Sequence, residues 1–221
     1  MSWHMAPLTL DNLDDLPKRC RRCVFWELSP HLANQAAEFG NVEFEKEAWV
    51  SEVLLEWGSC GRVVHVRGVP AGYAIYAPPS AVPRAAEMPT GPVSADAVLL
   101  TTMQVMPEFA GEGLGRLLAQ AVVKDLTRRG VKAIEVFGDA RPGTEPSCVI
   151  PADFLRHVGF KTIRPHPRWP RLRMELRSGM TWKEDVEAAL EQLLASVSIP
   201  LQSSGDVAAP PVRRPSGVPA G

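Results

Sequence analysis

The pattern of apolar and polar positions divides the chain into a short series of elements. From Glu43 to Trp57, Phe44, Trp49, Val53, Leu54 and Trp57 recur three or four positions apart, which predicts a helix ended by Gly58 and Gly61. Arg62 to Arg67 and Ala71 to Ala77 are β-rich runs joined across Gly68-Val-Pro70, the pattern of a hairpin. Ala97 to Met106 is a third strand, stopped by Pro107. Leu114 to Arg129 is a helix with Gly130 at its C-cap, and Val131 to Phe137 is a fourth strand. Ala152 to Val158 is a short helix before Gly159, and Arg171 to Leu176 is a final alternating run. Strands and helices mix without strict alternation, which predicts an α+β fold and not a doubly wound sheet.

Pro-rich segments punctuate this pattern. Ala77 to Pro92 carries Pro78, Pro79, Pro83, Pro89 and Pro92 and reads as a long loop between strands, of a length that is often functional. Thr181-Trp-Lys-Glu184 is a capping-box pattern, and Trp182, Val186, Ala189, Leu190 and Leu193 follow at helical spacing. That predicts an amphipathic helix over 179–199, which either packs back on the domain or binds a partner. Residues 200–221 lack aromatics and periodicity, so they read as a disordered tail. The remainder divides into an N-terminal segment, 1–31, with a C-x-x-C pair, and a main domain, 32–178. No internal repeat is visible.

Charge narrows the classes of partner. Among 221 residues, 24 Lys and Arg nearly cancel 25 Asp and Glu. Without excess cations to displace counterions, nucleic acid is not an expected partner. No apolar run approaches the roughly 18 residues of a membrane span, and residues 1–16 lack the charged and apolar regions of a signal peptide. A cytoplasmic location follows as an expectation, with Cys20, Cys23, Cys60 and Cys148 as reduced thiols.

The chemistry concentrates at Val98 to Leu118. A β run ends at Pro107, and a turn with Gly111, Gly113 and Gly115 leads directly into a helix. Glycines permit a tight turn and close approach of a ligand. Unpaired N–H groups and the dipole at a helix start favour phosphate. Arg116 adds a cation. A simple helix-capping turn is the plainer reading. A nucleoside-triphosphate loop is excluded, because Arg116-Leu117 stands where Lys-Ser/Thr is required. The glycine spacing also differs from G-x-G-x-x-G of a dinucleotide site.

The stretch Val105-Met-Pro107-Glu-Phe109-Ala110-Gly-Glu-Gly113-Leu-Gly115 resembles the central motif of the GNAT superfamily of acetyl-CoA-dependent N-acyltransferases. Phe154-Leu-Arg-His-Val-Gly159-Phe160 resembles the family's second signature, and Val69-Pro-Ala-Gly72-Tyr73-Ala74 resembles the hairpin before the central strand. The resemblance spans about Leu32 to Leu176. It implies a central mixed, mostly antiparallel sheet flanked by helices, in which the strand ending at Val105 splays from the strand 131–137. Acetyl-CoA is the implied co-substrate. Backbone groups of Met103, Gln104 and Val105 would pair with its pantetheine arm, and an N–H near Val105 would polarise the thioester carbonyl. The amides of Ala110, Gly111, Glu112, Gly113, Leu114, Gly115 and Arg116 would hold its pyrophosphate. The implied reaction is direct acetyl transfer to a primary amine of a small molecule or a protein. A homodimer is an open assembly.

The chain departs from the family pattern at three places. Ala110 replaces the usual Arg or Gln. Leu155 stands where many members carry the Tyr that protonates the leaving thiolate, and Cys148 stands where they carry Asn. Leucine donates no proton, so Cys148 is a candidate donor, or else a small buried residue. His157 is a candidate titrating group or a surface residue. Glu135, an acid inside an apolar strand, is either the base for the incoming amine or an exposed edge position. Glu108 is expected to be solvated. Trp49 and Trp57 either line the acceptor pocket or belong to the core.

Two other function classes follow from these residues. Ala110 and Leu155 suit a non-catalytic acyl-CoA-binding regulatory module. Cys20-Arg-Arg-Cys23, flanked by Lys18 and Arg19, suits a zinc or redox protein, or else two half-buried cysteines. No metal site is expected, since no second ligand pair accompanies the first.

Overall fold

The computed structural model describes residues 2–143 and 147–176. The expected helix over 179–199 and tail over 200–221 lie outside the described residues. The strands are β1 (Trp3–Pro7), β2 (Gly61–Val66), β3 (Val69–Ala77), β4 (Ala97–Val105), β5 (Ala133–Asp139), β6 (Ile150–Pro151), β7 (Lys161–Arg164) and β8 (Arg171–Glu175). The helices are α1 (Lys18–Arg21), α2 (Pro30–Phe39), α3 (Val42–Trp57), α4 (Leu114–Arg128) and α5 (Ala152–His157). The strands form one sheet in the order β1-β2-β3-β4-β5-β8-β7, with β6 beside β5. Among the described residues, only β4–β5 and β5–β6 are parallel. The fold is therefore α+β with a mixed, mostly antiparallel sheet, as expected.

Both faces of the sheet are covered. On one, Leu118, Val122 and Leu126 of α4 and Leu155 of α5 pack on Val64, Tyr76, Leu100, Ile134 and Val136. On the other, Trp49, Val50 and Val53 of α3 join Leu8, Leu13, Leu16 and Trp26 over Val63, Tyr73, Ile75, Leu99 and Phe137. The segment 1–31, set apart by sequence, thus supplies part of this second core, and its β1 pairs antiparallel with β2 along the sheet edge. The Pro-rich stretch is also less open than a loop. It folds as two 3-10 turns, Pro79–Ala81 and Pro83–Glu87, which bury Ala85 and Met88.

Two local features position the site. The β2–β3 hairpin turns on Arg67 and Gly68, both at positive φ (51° and 80°), the type I′ geometry that matches strand twist. Further along, the β3–β4 register jumps from Ile75↔Thr102 to Tyr76↔Leu100, so Thr101 is an extra residue on β4. Its hydroxyl donates to the Ile75 carbonyl at 3.0 Å. A bulge bends its strand and increases local twist. This one lies where β4 leaves β5: the two strands pair only at Ala97↔Ala133, Val98↔Ile134 and Leu99↔Glu135.

Candidate functional site

Beyond Leu99, β4 is bonded to β3 alone, which leaves one edge of its C-terminal half facing a gap. Met106 N–H donates to the Ala71 carbonyl on the β3 side at 2.8 Å. Backbone direction alternates along a strand, so the main chain of Gln104 also faces β3, and those of Met103 and Val105 face the gap. Of the three residues expected to bind an extended ligand, two therefore offer backbone groups and Gln104 offers only its side chain. That side chain spans the gap, because its Nε2 donates to the Ser147 carbonyl at 2.9 Å.

The glycine turn lies immediately beyond the gap. Pro107–Phe109 makes one 3-10 turn, and Gly111 (φ 84°) and Gly113 (φ 79°) carry the chain into α4. A Cβ at either position would meet nothing within 4 Å, so the left-handed backbone is what requires glycine there. Gly115 serves a different need. A Cβ there would lie 3.0 Å from the Phe154 ring, so its absence lets α4 pack against α5. Ala110 N–H is bonded to the Pro107 carbonyl and Arg116 N–H to the Gly113 carbonyl, both at 3.1 Å. The two ends of the expected amide cradle are thus engaged. The five N–H groups between them, Gly111, Glu112, Gly113, Leu114 and Gly115, have no partner among the described residues. A run of unpaired amides at a helix start is chemically suited to an anion. The exposed Arg116 adjoins it, its Nη2 3.0 Å from Nε2 of the exposed His157 on α5. Glu108 is exposed, as expected.

A cavity of about 110 Å³ opens on the α3 side of the sheet, lined in part by Arg19, Cys20, Cys23, Tyr73, Thr102 and Cys148. It is well below the ~300–1,000 Å³ of a site enclosing a whole drug-sized ligand, so it suits a functional group. A buried ion pair between Lys46 and Glu27 closes one wall, and Lys46 Nζ also donates to the Cys23 carbonyl at 3.1 Å. Tyr73 is 1% exposed, and its hydroxyl has no hydrogen-bond partner among the described residues. Burial pushes its pKa up, so it keeps its proton.

The structure separates residues that the sequence grouped and joins others. Glu135 is neither a free base nor an exposed edge residue. It is 0% exposed and ion-paired to Arg171 (3.2 Å) and Arg173 (3.1 Å) of β8, and it accepts from Ser94 N–H at 3.2 Å. Its carboxylate is held by two guanidiniums and does not line the cavity. Cys148 does line it, with its Sγ 3.3 Å from that of Cys23. Cys20 turns instead to Gln104 Oε1 at 3.5 Å, where Arg19 Nη2 also donates at 3.2 Å. The C-x-x-C sulfurs therefore face different partners, and among the described residues no group of three His, Cys, Asp or Glu is arranged to hold a metal. The zinc reading of this motif does not fit. Leu155 is fully buried in the core. Trp49 is also core, with Nε1 bonded to the Ala81 carbonyl at 2.7 Å, and Trp57 is half-buried under Arg129.

An open gap between two parallel strands beside a glycine turn is the arrangement of a GNAT fold. Residues 84–166 match the family model described as FR47-like protein. Among solved structures, the chain is similar to the PaiA N-acetyltransferase of Thermoplasma acidophilum in complex with coenzyme A (TM-score 0.53, 12% identity, 79% of this chain and 99% of that one). It is similar also to an N-acetyltransferase of Staphylococcus aureus Mu50 (0.52, 11%, 80% and 100%) and to Ard1 of Thermoplasma volcanium (0.50, 11%, 80% and 99%). No curated protein matches the sequence. The fold is that of these solved structures, and the FR47-like match is confined to residues 84–166. Among the described residues, no helix is long and apolar enough to cross a membrane.

Proposed function

We propose that the protein is an acyl-CoA-dependent N-acyltransferase of the cytoplasm, moving an acetyl group from acetyl-CoA to a primary amine without a covalent enzyme intermediate. The observation that carries this reading is the continuity of two unsatisfied backbone surfaces. The gap-facing edge of Met103 and Val105 leads directly to the five unpaired amides of Gly111 to Gly115. The amides suit a pyrophosphate, and the strand edge suits the amide-bearing arm attached to it. Acetyl-CoA supplies a thioester carbonyl activated toward amines. The Val105 N–H, directed into the gap, is the donor suited to hydrogen-bond that carbonyl's oxygen as charge develops on it.

The cavity is then the place for the amine. Tyr73 and Cys148 line it with protonated side chains, and each is a donor that takes the place of the tyrosine missing at Leu155. Glu135 takes no part in the chemistry on this account. The test is release of free thiol from acetyl-CoA in the presence of a panel of small amines, polyamines and peptides. Amine-dependent release supports the reading.

A second reading rests on a specific observation. With Leu155 buried and Glu135 fixed by two arginines, the chain holds neither group by the usual geometry, which suits a regulatory module that binds acyl-CoA without turnover. Coenzyme A binding with no thiol release on any amine would select that alternative.

A further inference from the structure

We propose that Cys23 and Cys148 form a peroxide-reactive thiol pair that closes to a disulfide across the mouth of the cavity. Their sulfurs lie 3.3 Å apart although 125 residues separate them in the chain. A disulfide bond is about 2.05 Å long, so the two sulfurs, already in contact, must still approach one another to close it. Both residues are anchored to neighbouring positions of β5. Trp26, three residues after Cys23, stacks on Phe137 at 5.8 Å, and Ile150, two after Cys148, pairs with Gly138. Lys46 further fixes the Cys23 carbonyl, and Arg84 lies over Phe25 at 4.4 Å. The pair is therefore held together by packing on both sides. Both thiols are partly exposed at the cavity, so a small oxidant reaches them.

Either sulfur can donate in the 3.3 Å contact. With Cys148 as the donor, this contact, the Phe25 N–H and the Lys46 charge lower the Cys23 pKa to about 6 against opposing burial and Glu27. Cys148 is shifted upward and keeps its proton. Cys23 is thus the attacking thiolate and Cys148 the resolving thiol. The thiolate attacks the outer oxygen of a hydroperoxide, the O–O bond breaks, and the alcohol leaves with a proton from solvent. Cys148 sulfur then displaces hydroxide from the Cys23 sulfenic acid and gives up its proton, forming the S–S bond and water. Two thiols lose two electrons, and the peroxide takes both. Cys20 faces Gln104 and takes no part.

The test treats the full chain with hydrogen peroxide and maps peptides by mass spectrometry without reduction. We expect Cys23–Cys148 as the principal cross-link, lighter by two hydrogens and reversed by dithiothreitol. In Cys148→Ser, dimedone should trap a sulfenic acid at Cys23. A principal cross-link between Cys20 and Cys23, or oxidation at Cys23 that leaves Cys148 a free thiol, would overturn the proposal. This outcome is independent of coenzyme A binding and of turnover.

Discussion

Leu99 of β4 and Glu135 of β5 form the last pair in the parallel ladder between the two central strands. The same glutamate reaches across to Arg173, its register partner on β8, and to Arg171. The point where the sheet opens is therefore clamped by a buried ion network. Replacing Glu135 by Gln leaves Arg171, 5% exposed, without a counter-charge. We expect a loss of about 3–5 kcal/mol in urea unfolding, with coenzyme A binding retained wherever the chain remains folded. A Glu135→Gln protein of normal stability that lost only its turnover would instead make Glu135 the base.

Gly115 packs against Phe154, so Gly115→Ala drives a methyl group into the ring. The expected penalty is about 1–3 kcal/mol of overpacking. In a Phe154→Leu background the same substitution should cost less, because the two side chains share one space. Thermal unfolding of the four proteins in the cycle measures the coupling. Strict additivity would show that Gly115 is needed for another reason.

Tyr73 carries a buried hydroxyl without a partner. Its loss in Tyr73→Phe therefore removes no hydrogen bond from the folded chain, and stability should hold or rise slightly. If the hydroxyl serves the amine or the departing sulfur, thiol release should fall about tenfold, the worth of one hydrogen bond in the transition state. Equal turnover of the two proteins would remove Tyr73 from the site.

The Cys23 thiol is lowered to about 6, first by the hydrogen bond from Cys148. Only the thiolate is alkylated, so its iodoacetamide reactivity should rise as pH increases through about 6 and level above it. Cys20, Glu27, Lys46, Tyr73 and Cys148 surround it, and only the Cys148 contact is removed in Cys148→Ala. There the midpoint should move up, toward the ordinary thiol value of 9.0. An unmoved midpoint would contradict the assignment of Cys148 as the donor.

The parts of the fold visible in the sequence are those whose pattern is local. α3 and α4 bury regular helical faces and β4 is a continuous apolar run buried on both sides from Ala97 to Met103, and their expected limits differ from the observed ones by a residue or so. β1 gave no such signal, because no residue of it is buried and it ends on a proline. α2 carried its markers, Ser29-Pro30 at one end and Gly40 at the other, but buries only Ala36 and so shows little apolar periodicity. The site divides the same way. The glycine turn was legible because it is contiguous. The Cys23–Cys148 contact was not, since two distant segments are brought together by their separate attachments to β5. Glu135 had a readable clue in the alternating Arg171-x-Arg173 of the last strand, but only once β8 was known to lie beside β5.

The most direct test of the central claim is isothermal titration of the full chain with coenzyme A and acetyl-CoA, beside Gly113→Glu. The substitution places a carboxylate at the start of α4, where there is room for a side chain and a left-handed backbone penalty of about 1–2 kcal/mol, so folding is checked by circular dichroism. The account predicts saturable binding of both ligands to the natural chain and none to the folded variant. Absence of binding to the natural chain, or undiminished binding to Gly113→Glu, would contradict it.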